Sequence, residues 1–207
     1  MFKLTYDVYY MTRMLKDKVL SSIYDYYYDE YHTVKRMEPH QGGIITNLYN
    51  LTYEPTQILD RIYLGNAYNA SNFIDLKMRN IGLIVNITCE IPNYYTEDFK
   101  YHTVNTIKDN NENHIESHID SLIEVINNYL ETNDDNILVH CFMGSSRSAS
   151  VLVAYNTFKN DVSIDESIKF VKDKRDVVNI NTTFIQDLKN WNNKRNTINT
   201  LNTKTSN

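Results

Sequence analysis

His140-Cys141-Phe142-Met143-Gly144-Ser145-Ser146-Arg147-Ser148 is the stretch on which the fold turns. Just before it, Asn136-Ile137-Leu138-Val139 has the apolar run of a short buried strand. After it, from Ser148 through Phe158, the pattern is helical. A cysteine, five loop residues and an arginine therefore lie between a strand end and a helix start. That layout suits an oxyanion. The amides of a tight loop and the open N-terminus of a helix make a concave nest, and Arg147 adds a planar fork for two phosphate oxygens. Cys141 lies where the same field favours a thiolate, and a thiolate under a bound phosphate is a nucleophile aimed at phosphorus.

A lone cysteine at a strand end is more simply a buried packing residue, and a lone arginine a helix-surface one. Here His, Cys, Gly, Arg and Ser fall in register at a single junction, and that combination favours chemistry.

Working outward, residues 54–192 have the alternation of a compact α/β domain. Gln57 to Gly65 reads as one β element stopped by glycine, and Asn69-Ala70-Ser71 as the cap of a short helix carrying Phe73, Ile74 and Leu76. Ile81 to Thr88 reads as a buried strand and Tyr101 to Val104 as a weaker one. A loop from Lys108 to Glu112 precedes a helix with Ile115, Ile119, Leu122, Ile123, Ile126 and Leu130 on one face. His114 and His118 read as solvated. Ser163-Ile164-Asp165-Glu166 is a capping box for a helix through Lys174. A last helix is expected from Thr183 to Trp191, and residues 193–207 read as a polar, flexible tail.

Residues 1–53 form an N-terminal extension. Leu4, Val8, Met11, Leu15 and Val19 recur at near-helical spacing. Tyr24-Asp25-Tyr26-Tyr27-Tyr28-Asp29-Glu30-Tyr31 follows as an acidic tyrosine cluster. It suits a docking or self-association segment, or a phosphotyrosine site within the chain's own reach; the plainer account is a packing helix and a loop.

The chain has 207 residues and a net charge of −5, which argues against general binding to nucleic acid. Two cysteines, Cys89 and Cys141, supply neither a disulfide framework nor a zinc-ligand set. No apolar run is long enough for a bilayer and no signal peptide opens the sequence, so an intracellular, cytoplasmic setting without a membrane partner is expected.

The quoted stretch resembles the signature of cysteine-dependent protein phosphatases: His-Cys, five residues, Arg, Ser or Thr. The run from Ser148 to Tyr155, Ile62-Tyr63-Leu64-Gly65-Asn66, and Phe170-Val171-Lys172 leading to residues 178–184 are similar to the dual-specificity branch. The resemblance covers residues 54–192. It implies a phosphatase fold, with a central mixed, mostly parallel sheet flanked by helices. It also implies hydrolysis of phosphotyrosine and phosphoserine or phosphothreonine through a cysteinyl phosphate, with no metal and no other cofactor. Family members often carry Pro at the position of Ile180 and Gly at those of Asp161 and Thr183, differences that touch turns and packing.

The resemblance assigns roles. Cys141 is the nucleophile. Arg147 and the amides of Phe142, Met143, Gly144, Ser145 and Ser146 hold the phosphate. The family's acid lies on a loop some thirty residues before the cysteine, and Asp109 stands 32 positions before Cys141, with Glu112 its rival. Ser148 is expected to bond the sulfur, or to cap the helix, or both. His140 supports the loop. Asn181 matches a position usually structural and is left outside the site. The five loop residues carry no Lys or Arg, which favours a phosphoprotein over a phosphoinositide or an RNA 5′-triphosphate. A phosphate-reading module without turnover is the rival class, although such relatives usually lack the cysteine or the arginine. Cys89 is expected at the end of the neighbouring strand, as a small core residue or as a thiol that pairs with Cys141 under oxidation.

Overall fold

The computed structural model describes residues 53–205. The tyrosine-rich extension, expected to be helical, therefore lies outside the described residues, apart from Tyr53. The strands are β1 (Thr56–Leu59), β2 (Ile62–Gly65), β3 (Ile81–Asn86), β4 (Lys100–Thr103) and β5 (Asn136–His140). The helices are α1 (Ala67–Ser71), α2 (Phe73–Met78), α3 (Glu116–Thr132), α4 (Arg147–Asn160), α5 (Ile164–Lys174) and α6 (Thr182–Thr205).

The strand order is β1-β2-β5-β3-β4, with β1 antiparallel to β2 and every other pairing parallel. This is the mixed, mostly parallel sheet expected. Its central strand β5 alternates strictly. Ile137 and Val139 point to the larger core, with Leu64, Leu83 and Val85 beneath α3 to α6. Leu138 points the other way, into a smaller cluster with Ile84, Leu76 and Phe99. Both faces are covered, which is why β5 reads as a continuous apolar run.

Several local expectations are corrected. Residues 57–65 are two strands rather than one, because the chain reverses at Asp60-Arg61, where Arg61 takes φ 61. The Arg61 side chain then donates to the carbonyls of Leu130 (3.1 Å), Asp135 (2.7 Å) and Asn133, at the end of α3. A cation is favoured at that negative helix end. The caps of the short helices are Asn66 and Asn72; Asn69 is the third-position partner of Asn66 in a capping box. The box at Ser163 and Glu166 is present as expected.

The last helix runs well past Trp191, to Thr205. Asn and Thr are poor helix formers, and tertiary contacts overrule them here. Lys194 pairs with Glu116 on α3, and the Arg195 guanidinium lies 5.4 Å from the Phe158 ring and 5.9 Å from the Trp191 ring. Thr197 and Thr200 each return a hydroxyl to the carbonyl four residues back. Asp161 sits in the left-handed region at φ 51, which explains why glycine suits that position.

The start of α3 carries no cap of its own. Asp187, buried on α6, supplies one from afar: its carboxylate accepts from the Ile115 amide at 2.7 Å and from His114 Nδ1 at 2.9 Å. His114 is exposed, as expected, and its ring is also tied to Asp187. Asp187→Ala is expected to lower stability by about 2 kcal/mol, since it strands a buried amide. Urea unfolding with an unchanged slope checks this, and a midpoint like that of the parent would refute it.

Candidate active site

The register places the cysteine loop. His140 at the end of β5 pairs with Gly65 at the end of β2 and with Asn86 at the end of β3. Cys141 therefore leaves the middle of the sheet at the carboxyl edge of its parallel strands, where such folds open a crevice for ligands. Six residues later α4 begins beneath that edge, at Arg147.

The loop's carbonyls are held from outside. The Ala67 amide donates to Phe142 O (3.0 Å), Arg175 Nε to Gly144 O (3.1 Å) and the Asn179 amide to Ser145 O (2.9 Å). A trans peptide carries its C=O and N–H on opposite sides. Fixing those three carbonyls outward aims the amides of Met143, Ser145 and Ser146 inward. The Gly144 amide lies 3.3 Å from Cys141 Sγ. Gly144 is required on two counts: its φ is 67, and a Cβ there would stand 2.5 Å from Gly65 O.

Cys141 is buried, 1 % exposed, and its sulfur also receives the Ser148 hydroxyl at 3.2 Å. Ser148 is therefore a partner of the sulfur and not the helix cap. The cap position is Ser146, and its hydroxyl caps nothing. It donates instead to Asp109 Oδ1 at 2.9 Å, which leaves the first amides of α4 open.

Arg147 is 3 % exposed. Its two terminal nitrogens reach the two carboxylate oxygens of Glu90, and Nη1 also donates to Ile107 O at 3.3 Å. Its Nε is buried without a partner among the described residues, a donor held in reserve beside the sulfur loop. Burial alone would raise the Glu90 carboxyl, but hydrogen bonds and charge from Arg147 hold it below the ordinary carboxylate range. Burial likewise works against the Arg147 cation, and the bonds to Glu90 with the charge of Cys141 outweigh it.

Asp109 comes to the same place on its own loop. Asn181 Nδ2 donates to Asp109 Oδ1 at 2.8 Å, and the Asn181 amide donates to Ser146 Oγ at 3.2 Å. Asn181 therefore belongs to the site, a correction to its expected structural role. It caps α6 as well, accepting from the Phe184 amide at 2.8 Å. Glu112, the rival acid, is exposed and makes no hydrogen bond to the cysteine loop among the described residues.

Sequence reasoning also missed Glu90 and Arg175. Arg175 sits in a charged run that looks like solvated surface and Glu90 in a loop just past β3, and only the tertiary fold turns them inward. Cys89, expected as core, is exposed; its amide and thiol both lie against Glu90 Oε2, at 3.0 and 3.3 Å. Phe142 packs with Ala67 and Ile91, and Met143 and Tyr94 flank that apolar cluster. No group of three or more potential metal ligands is found among the described residues, and no helix there is long and apolar enough to cross a membrane.

A thiol, a guanidinium and a ring of inward amides at the carboxyl edge of a parallel sheet define a site for a tetrahedral oxyanion. The family of the dual specificity phosphatase catalytic domain matches residues 62–194, and the chain belongs to that family. It is 33 % identical over 137 residues to human protein phosphatase Slingshot homolog 2, covering 66 % of this chain and 10 % of that protein. Against dual specificity protein phosphatase 1-B of Xenopus laevis it is 33 % identical over 134 residues, covering 65 % of this chain and 36 % of the relative. The chain thus spans well under half the length of these curated relatives. Among solved structures, human DUSP28(Y102H) superposes with a TM-score of 0.66 at 21 % identity, over 70 % of this chain and 98 % of that one. DUSP15 does so with a TM-score of 0.62 at 28 % identity, over 66 % and 86 %.

His140 generates a pH prediction. It is buried, and its Nδ1 lies 3.3 Å from the Cys141 carbonyl, so Nδ1 carries the proton of a neutral ring. Burial drives its pKa from 6.5 down to about 4. The unfolded chain then binds more protons between those values, so His140 favours the folded state fully above pH 6.5 and loses that contribution as pH falls towards 4. The shift corresponds to about 3 kcal/mol. Unfolding midpoints should fall across that window in the parent and fall less in His140→Asn, with exposed-side His102 adding a smaller part of the same sign. Parallel pH profiles for the two proteins would refute the assignment.

Proposed function

We propose that the domain hydrolyses phosphoprotein monoesters, phosphotyrosine and phosphoserine or phosphothreonine alike, through a phosphate ester of Cys141. The observation that carries this reading is the convergence of Gly144 N and Ser148 Oγ on the Cys141 sulfur, beside the spare Nε of Arg147.

In the first step Cys141 Sγ attacks phosphorus. The sulfur–phosphorus bond forms as the bond to the leaving oxygen breaks, and Asp109 gives that oxygen its proton. The three non-bridging oxygens take the inward amides and the Arg147 guanidinium, where charge must be held through a loose transition state. Glu90 keeps the guanidinium plane in place. In the second step water attacks phosphorus while Asp109 accepts its proton, and the sulfur leaves as thiolate. The Ser148 hydroxyl and the Gly144 amide stabilise that departing charge. Ser146 and Asn181 both bond Asp109 Oδ1. That pairing supports Oδ2 as the proton-carrying oxygen and Asn181 as a positioning residue.

A protein substrate fits the rim better than a highly charged head group. The loop carries no Lys or Arg, and the side of Phe142 and Met143 is apolar. The presence together of Cys141, Arg147 and Asp109 supports turnover over the rival reading, a phosphate-binding module without it.

Turnover of para-nitrophenyl phosphate is expected to persist in EDTA. Cys141→Ser should abolish it, and Arg147→Lys should cut kcat by about a hundredfold or more. Activity retained by the serine variant would end the enzymatic reading. Asp109→Asn is expected to lower turnover of phosphotyrosine peptide by about a hundredfold to a thousandfold. It should cost much less with para-nitrophenyl phosphate, whose leaving group scarcely needs a proton. Equal losses on both substrates would remove Asp109 from the role of leaving-group acid.

A further inference from the structure

Arg175 is a fully buried arginine, 0 % exposed, at the end of α5. Burying a cation without a carboxylate partner is costly, so a fold keeps one only where several acceptors hold it. No ion pair involving Arg175 occurs among the described residues. Its Nε donates to Gly144 O at 3.1 Å. Its Nη1 donates to Glu54 O at 2.7 Å and to Thr56 Oγ1 at 3.0 Å. The Tyr53 ring lies 4.7 Å from its Cζ, within cation–π range. Nη2 is buried without a partner among the described residues. Three regions distant in sequence therefore meet at one guanidinium: the entry to the domain, the apex of the cysteine loop and the end of α5.

Gly144 O and Ser145 N–H belong to one peptide unit. Holding the carbonyl on Arg175 turns the Ser145 amide the opposite way, into the cup above the sulfur. Glycine at φ 67 does little to hold that peptide by itself, because rotation about its bonds is cheap. The restraint comes from Arg175, and Arg175 is in turn gripped by Tyr53, Glu54 and Thr56. Asn66 and Asn69, next to the loop, are tied to the same entry segment: Asn69 Nδ2 donates to Tyr53 O at 3.1 Å.

We propose that Arg175 is a positioning residue for phosphate binding, and that the entry segment Tyr53–Thr56 sets it. The chain that precedes the domain then acts on the affinity of the cysteine loop for phosphate through this one guanidinium. The inference deepens the phosphatase reading and rests on it for the identity of the anion. Charge works in the same direction. Burial lowers the Arg175 pKa to about 10, and attraction to an ionised Cys141 opposes that fall.

The test uses the full chain carrying Cys141→Ser, titrated calorimetrically with inorganic phosphate, alone and combined with Arg175→Met, Arg175→Lys or Tyr53→Ala. Steady-state para-nitrophenyl phosphate kinetics on the same changes with Cys141 intact accompany it. Arg175→Met should weaken phosphate binding about tenfold or more, the scale of one charge-assisted hydrogen bond. Tyr53→Ala should weaken it by a few-fold and raise KM more than it lowers kcat, and Arg175→Lys should restore part of the loss. A role confined to stability would lower the unfolding midpoint and leave the phosphate Kd of the folded protein alone. Phosphate affinities within twofold of the parent for both Arg175→Met and Tyr53→Ala overturn the proposal. Should Arg175→Met fail to fold, Tyr53→Ala decides by itself. A parent that takes up no phosphate overturns proposal and phosphatase reading together. Turnover that survives Cys141→Ser overturns only the latter, and the titration still decides Arg175.

Discussion

Three of the amides that face the cup above Cys141 do so because the carbonyl across the same peptide is bonded on the outside. Ala67 holds the Phe142 carbonyl, Arg175 holds that of Gly144 and Asn179 holds that of Ser145. Peptide planarity converts these three external bonds into three internal donors. A cup of this kind needs no reorganisation when a charged ligand arrives, and that is where its electrostatic advantage over water lies. The rest of the fold is arranged to supply the outer bonds. Ala67 opens α1 just after β2, Arg175 closes α5, and Asn179 precedes α6, so three separate elements converge on one short loop.

Charge is arranged with equal economy. Arg147 and Arg175 are both buried, yet among the described residues only Arg147 has a carboxylate partner, Glu90. Glu90 takes the two terminal nitrogens and leaves Nε for a ligand. The pair is locked to the loop that carries Asp109 through Ile107 O, while Asp109 itself is locked to Ser146 and Asn181. Cys141, Arg147 and Asp109 are therefore tied together, although Asp109 comes from a segment separate from the loop that carries the other two. His140, beneath them, stays neutral because it is buried, so it adds no competing positive charge.

How much of this can be read in the residues depends on how local its cause is. The α/β class, the strand before Cys141 and the capping box at Ser163 are local patterns, and they stand in the structure where the residues place them. Cys141 and Arg147 are singled out by the spacing of the family signature and Asp109 by the family resemblance, and the structure brings the three to one place. What escapes is tertiary. Glu90, Arg175 and Asp187 are charged residues, and charge alone reads as solvation. Each is turned inward by a partner 57, 31 or 72 positions away. Asn181 escapes because one side chain performs two tasks, capping α6 and holding Asp109. The last helix was shortened by propensity, which counts Asn and Thr against it and cannot count Glu116 on a neighbouring helix.

The central claim is geometric: the cup of amides and guanidinium seats a tetrahedral anion directly over the sulfur. A crystal structure of the full chain with orthovanadate tests it most directly. The account predicts vanadium bonded to Cys141 Sγ, its equatorial oxygens received by the amides of Met143, Ser145 and Ser146 and by Arg147, and Asp109 Oδ2 at the apical oxygen. Vanadate bound elsewhere, or bound with the Gly144 carbonyl turned into the cup and off Arg175, would contradict it.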